Sequence, residues 1–163
     1  MKIKDTDLCL KIGDRAPAFT LYSDAKKSFA LSEATAIGPV LLLFFPAAFT
    51  STCTTELNEV NNDLDSYSGA TIVGISTDTP FTLAEYSKAN ELKFSLVSDH
   101  DAVVCGLYGS KYEHNFTGMK LDRIAKRSAF VIDKTGIVRY AEVLENASQV
   151  PDLTAIQSIL GSL

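Results

Sequence analysis

The sequence predicts an α/β domain with a central mixed β-sheet covered by helices. Three observations carry this. Apolar runs of strand length alternate with stretches of helical spacing along most of the chain. One run, Val40-Leu41-Leu42-Leu43-Phe44-Phe45, is continuously apolar, which suits a strand covered on both faces. Near the end, two strand-like runs flank Asp133-Lys134-Thr135-Gly136, a turn sequence that predicts a hairpin. With 163 residues, 46% of them hydrophobic, residues 1–163 are expected to form a single domain around one core.

The elements follow in order. Residues 18–22 and 28–31 read as a short hairpin around Asp24-Ala25-Lys26-Lys27. Residues 40–45 are the buried strand, and Pro46 ends it. A helix then runs to about Leu64, with Cys53 in its first turn. Residues 71–76 are the next buried strand. Thr79 caps a helix that has Pro80 at its first position and runs to about Asn90. Residues 94–97 read as a short strand, 102–108 as a short helix and 111–126 as an irregular loop. Residues 129–133 and 137–144 form the hairpin. The last helix starts near Pro151, turns Leu153, Ile156 and Leu160 inward, and is stopped by Gly161.

Composition narrows the function classes. The net charge is −5, with both signs mixed along the chain and no basic tract, so no nucleic-acid partner is expected. No stretch approaches the ~18 apolar residues of a membrane span. The start, Met1-Lys2-Ile3-Lys4-Asp5, has no apolar signal-peptide core, so a cytoplasmic protein is expected. Asn115-Phe116-Thr117 and Asn146-Ala147-Ser148 fit the glycosylation triplet and are read as chance matches. Cys9, Cys53 and Cys105 are odd in number and widely spaced, which is no disulfide framework. No C-x-x-C occurs, and Glu59 stands where a cysteine phosphatase needs arginine. His100 and His114 stand apart from any metal-binding cluster and are read as surface residues. Neither a metal nor another cofactor is expected.

Cys53 stands out by its surroundings. It follows a buried strand, a proline stop and the loop Ala47-Ala48-Phe49-Thr50-Ser51-Thr52. The unpaired N–H groups of a helix start and the positive end of its dipole favour an anion there, hence the thiolate. Cys53, Leu57, Val60 and Leu64 recur at spacings of four, three and four, so the sulfur shares the apolar, inward face. The alternative is a small buried hydrophobe, a common fate of free cysteine. Thr50 lies about one turn earlier, with a hydroxyl able to donate and accept; it also reads as a plain helix cap. Arg127 precedes a buried strand, from which its head group reaches over a pocket; Arg123 and Lys126 are rivals, and each also reads as a solvated charge. Glu56 also reads as an acid in a first helical turn.

These residues resemble a known family. Pro46-Ala47-Ala48-Phe49-Thr50-Ser51-Thr52-Cys53 matches the peroxiredoxin pattern P-x-x-x-T-x-x-C. Residues 13–21 (Gly-Asp-Arg-Ala-Pro-Ala-Phe-Thr-Leu), Gly74-Ile75-Ser76-Thr77-Asp78 and Arg127-Ser128-Ala129-Phe130-Val131-Ile132-Asp133 resemble further segments of that family, in the right order. Phe44-Phe45-Pro46 with Ala48-Phe49-Thr50 resembles most the small one-cysteine bacterial type, alkyl hydroperoxide reductase E.

The resemblance implies a thioredoxin fold and a thiol-dependent peroxidase acting on hydrogen peroxide and organic hydroperoxides. It implies Cys53 as the thiolate that becomes a sulfenic acid, Thr50 and Arg127 as its catalytic partners, Pro46 as a shield for the sulfur and Glu56 as the residue that orients Arg127. It implies a homodimer as well, and a thiol reductant, either a thioredoxin- or glutaredoxin-like protein or a small thiol. One common resolving position, five residues after the first cysteine, is Asn58 here. That favours a one-cysteine cycle with an external thiol. A two-cysteine cycle resolved by Cys105 or Cys9 is the first alternative, and a peroxide-sensing or chaperone-like redox protein is the second. A catalytically dead binding module is the third, against which the intact Thr50, Cys53 and Arg127 set argues.

Overall fold

The computed structural model describes residues 10–163. They build a seven-stranded mixed sheet in the order β2-β1-β5-β4-β3-β6-β7. The strands are β1 (Thr20–Ser23), β2 (Ser28–Ala30), β3 (Val40–Phe44), β4 (Thr71–Ser76), β5 (Ser95–Ser98), β6 (Ser128–Ile132) and β7 (Val138–Val143). The helices are α1 (Leu31–Ile37), α2 (Ser51–Asn61), α3 (Pro80–Ala89), α4 (Val103–Leu107) and α5 (Leu153–Gly161). Strands β3, β4 and β5 run parallel, as strands linked through helices do, while β6 runs antiparallel to β3.

Strand β3 is central and buried at every residue, which is why its sequence shows no polar alternation. Its side chains divide the core between two layers. Val40, Leu42 and Phe44 join Cys105, Tyr108, Phe130 and the buried side of α1 on one face. Leu41, Leu43 and the following Phe45 join Cys53, Leu57, Leu83, Tyr86 and Ile156 on the other, beneath α2, α3 and α5. Position 74 must stay small here, because an added Cβ would lie 2.5 Å from Leu96.

The hairpins, the start and end of α3, and strand β4 follow the sequence expectation. Four details differ. Leu31 ends no strand but opens α1, a helix the sequence reading left out. Helix α2 stops at Asn61, and Leu64 belongs to a separate 3-10 turn, Leu64–Tyr67. Gly161 lies inside the last turn of α5 and Ser162 follows as its cap, so that glycine does not terminate the helix. Ala102 sits before α4 in left-handed conformation, and the buried Asp99 carboxylate accepts from the N–H groups of Val104 and Cys105. That bond pair satisfies two of the orphan donors of the helix start. No helix among the described residues is long and apolar enough to cross a membrane.

Candidate active site

The site lies where β3 ends and β6 begins. Antiparallel register pairs Phe44 with Ser128, so the residue before β6, Arg127, comes to lie beside the loop after β3. The loop passes the buried Pro46, turns through Phe49 at φ 64° and enters α2 at Thr50. A left-handed phenylalanine costs roughly 1–2 kcal/mol. Two contacts hold the turn. The Phe49 ring packs edge-on to Tyr86 at 5.1 Å between centroids, and the Ala48 N–H donates to Asp78 Oδ2 at 2.9 Å. The Tyr86 hydroxyl in turn donates to Thr54 Oγ1 in the first turns of α2.

Cys53 is the third residue of α2 and is 1% exposed. Arg127 is equally buried, and its Nη2 donates to Cys53 Sγ at 3.1 Å. Its Nη1 donates to Glu56 Oε2 in a buried ion pair. Nε and Nη2 also donate to the Ala147 carbonyl, at 3.3 and 3.1 Å. The fork of a guanidinium meets three acceptors at once, a geometry lysine cannot supply. Burial works against its charge, but the Glu56 carboxylate and Cys53 outweigh burial and raise Arg127 above its ordinary range. Burial pushes the Glu56 carboxyl the other way for an acid, up to about 7, although Arg127 pulls it down. Its Oε1 has no hydrogen-bond partner, which fits that cost.

Thr50 occupies the cap position of α2, yet its side chain makes no cap hydrogen bond. Its hydroxyl donates to the Ala47 carbonyl at 2.6 Å, and its oxygen retains acceptor capacity. Thr50, Pro46, Cys53 and Arg127 line one cavity of about 190 Å³, with Phe116, Ala147 and neighbouring hydroxyls completing it. Glu56 lies beyond the first turn of α2 and faces inward, so it is not a first-turn acid.

Of the rival cations, Lys126 pairs with Glu145 at 2.8 Å and Arg123 is exposed. Cys105 is fully buried, but in the layer on the opposite face of the sheet from Cys53. Burial pushes its thiol strongly up, and Asp99 adds to this. Cys9 lies outside the described residues. Sequence reasoning missed two contributors. Ala147 acts through a backbone carbonyl, in a loop where the Asn146 side chain accepts from Ser148. Phe116 sits in the 111–126 loop, where the sequence reading noted it only inside the chance triplet Asn115-Phe116-Thr117.

Residues 12–141 match the model of the AhpC/TSA family. The chain is 37% identical over 132 residues to a putative peroxiredoxin Bcp of Haemophilus influenzae, covering 79% of this chain and 83% of that protein. It is 34% identical over 133 residues to peroxiredoxin Bcp of Escherichia coli, covering 80% and 84%. Its structure resembles the crystal structure of peroxidoxin BcpB from Mycobacterium tuberculosis, with a TM-score of 0.83 and 29% identity over 94% of this chain and 98% of that one. The chain thus belongs to the AhpC/TSA family, with the thioredoxin fold of the peroxiredoxins, and is a thiol-dependent peroxidase.

Proposed function

We propose that Cys53 reduces hydrogen peroxide and organic hydroperoxides in a one-cysteine cycle. The observation that carries this is the buried hydrogen bond from Arg127 Nη2 to Cys53 Sγ. The sulfur attacks the terminal peroxide oxygen, an S–O bond forms, the O–O bond breaks, and the electron pair leaves on the second oxygen. Arg127 stabilises the thiolate and the negative charge building on the departing oxygen. Thr50 offers its oxygen to the peroxide hydrogen and so fixes the angle of attack. Pro46 excludes water, and Glu56 sets the direction of the guanidinium. The whole chain would act as one peroxiredoxin domain.

The sulfenic acid then needs a thiol. The sheet between Cys105 and Cys53 supports a structural role for Cys105, and Asn58 is engaged with Asn90. An external thiolate therefore attacks Cys53 sulfur, releases water and leaves a mixed disulfide, which a second thiol opens. Access to a sulfur so deeply buried requires the first turn of α2 to move. What favours nearness to the alkyl hydroperoxide reductase E type is the motif around Phe44 and Phe49, while the curated relatives named above are of the Bcp type. The double variant Cys9→Ser, Cys105→Ser should keep nearly full turnover with an external thiol. One equivalent of peroxide should add oxygen mass to it. Single-turnover oxidation without turnover would mean that one of these cysteines resolves the cycle. Slow turnover with persistent oxidised Cys53 in the wild type would favour a sensor.

We also propose a homodimer. Phe49 and Phe81 are 60% and 67% exposed, and Ala48 is bonded to Asp78, which brings their loops together. Exposed Tyr22, Val103 and Leu107 line an adjoining groove of about 500 Å³ with Pro80. So much apolar surface at one end of the sheet favours a partner. Light scattering that gave 17.6 kDa in both redox states would end this proposal.

A further inference from the structure

The thiol cavity is larger than hydrogen peroxide requires. It holds about 190 Å³. One water molecule takes about 30 Å³ of liquid, so the two oxygens of a peroxide fill roughly a third of the space. Attack in line places the sulfur, the terminal oxygen and the departing oxygen along one axis. Any organic group on the departing oxygen therefore points away from Cys53 at the floor, toward the mouth. The half-buried ring of Phe116 lines that cavity.

Phe116 is held in place by more than its own loop. Lys111 bridges to Ala125, and Phe116 bridges to Leu121, so the 111–126 excursion folds back as a ribbon. The Tyr112 N–H donates to the Ile124 carbonyl at 2.9 Å, and the Lys126 N–H donates to that of Ser110. The Phe116 ring lies against the buried Tyr112 at 5.1 Å, and the Tyr112 hydroxyl reaches the Glu145 carbonyl, in the loop that also supplies Ala147. The ring thus stands on a buried aromatic that is tied to the Arg127-binding loop.

We propose that Phe116 is a specificity-determining residue that packs against the organic group of an apolar, preferably aromatic, hydroperoxide. The proposal rests on the peroxidase reading above. Cys53 thiolate takes the terminal OH of ROOH and becomes the sulfenic acid. The O–O electron pair departs as alkoxide, and a proton from solvent gives the alcohol. The two oxygens meet the same groups whether R is hydrogen or an aryl-alkyl group, so only the second meets Phe116.

The test compares kcat/KM for cumene hydroperoxide and hydrogen peroxide in wild type, Phe116→Ala and Phe116→Leu, with circular dichroism as the check on folding. Phe116→Ala should lower the ratio of kcat/KM for cumene hydroperoxide to that for hydrogen peroxide about tenfold, the scale of a removed apolar contact in a pocket. Phe116→Leu should give an intermediate ratio, and it decides the matter if the alanine variant does not fold. Equal losses on both peroxides, or an unchanged ratio, overturn the proposal while leaving the peroxidase reading intact. A wild type inactive on both peroxides, where Cys53→Ser makes no difference, would overturn both.

Discussion

Arg127→Ala is expected to slow peroxide reduction by a factor of about 10²–10³, the usual loss when one preorganised donor to a transition state is removed. Among the described residues, Arg127 is the cation that donates to the sulfur, and it does so from a water-excluded position in which its charge is poorly screened. Arg123→Ala should leave the rate unchanged. From sequence alone the Arg127 variant would be expected to lose far more in rate than in stability. The buried pair changes that expectation, because removing one partner strands Glu56 and such losses reach about 3–5 kcal/mol. Arg127→Lys separates the effects: it retains a charge for Glu56 but lacks the fork that also meets Cys53 and Ala147. Stopped-flow oxidation rates and denaturant midpoints measure the two quantities. A larger kinetic loss at Arg123 would reject the assignment.

Glu56→Gln should change how stability depends on pH. Burial raises Glu56 from 4.5 to about 7 in the folded chain. The folded state then holds a proton that the unfolded state has released, so stability falls as pH rises through this interval. The contribution is complete below about pH 4.5 and gone above about pH 7; the span corresponds to about 3 kcal/mol. Glutamine does not titrate. Between pH 5 and pH 8 the wild type should therefore lose more stability than Glu56→Gln, read from urea midpoints. Parallel losses would mean that Arg127 keeps Glu56 ionised throughout.

Much of this was legible in the chain because each signal was local. The apolar run to Phe45, the stop at Pro46 and the spacing of Cys53, Leu57 and Val60 mark a strand, a loop and a helix without any tertiary knowledge. Thr79-Pro80 carries its own cap, with Thr79 Oγ1 accepting from the Thr82 N–H. Helix α1 lacked such marks. It has seven residues, its cap position is Ala30, and Ile37 is 86% exposed, which blurs the apolar stripe. The choice among Arg123, Lys126 and Arg127 was not local either, since the pairing of Phe44 with Ser128 makes it. Ala147 was invisible for another reason: a carbonyl acceptor belongs to every residue and leaves no trace in a side-chain pattern.

Because β6 lies antiparallel beside β3, the sulfur and its guanidinium come from positions 74 residues apart. A ribosome adding roughly 5–20 residues per second needs roughly 4–15 s to cover that interval. For that time Cys53 has left the peptidyl-transferase centre while Arg127 is still unsynthesised, so the guanidinium that donates to its sulfur is absent. Under the function proposed above, the reactive thiol is complete only when β6 closes on β3, so its appearance would report completion of the central strand pair.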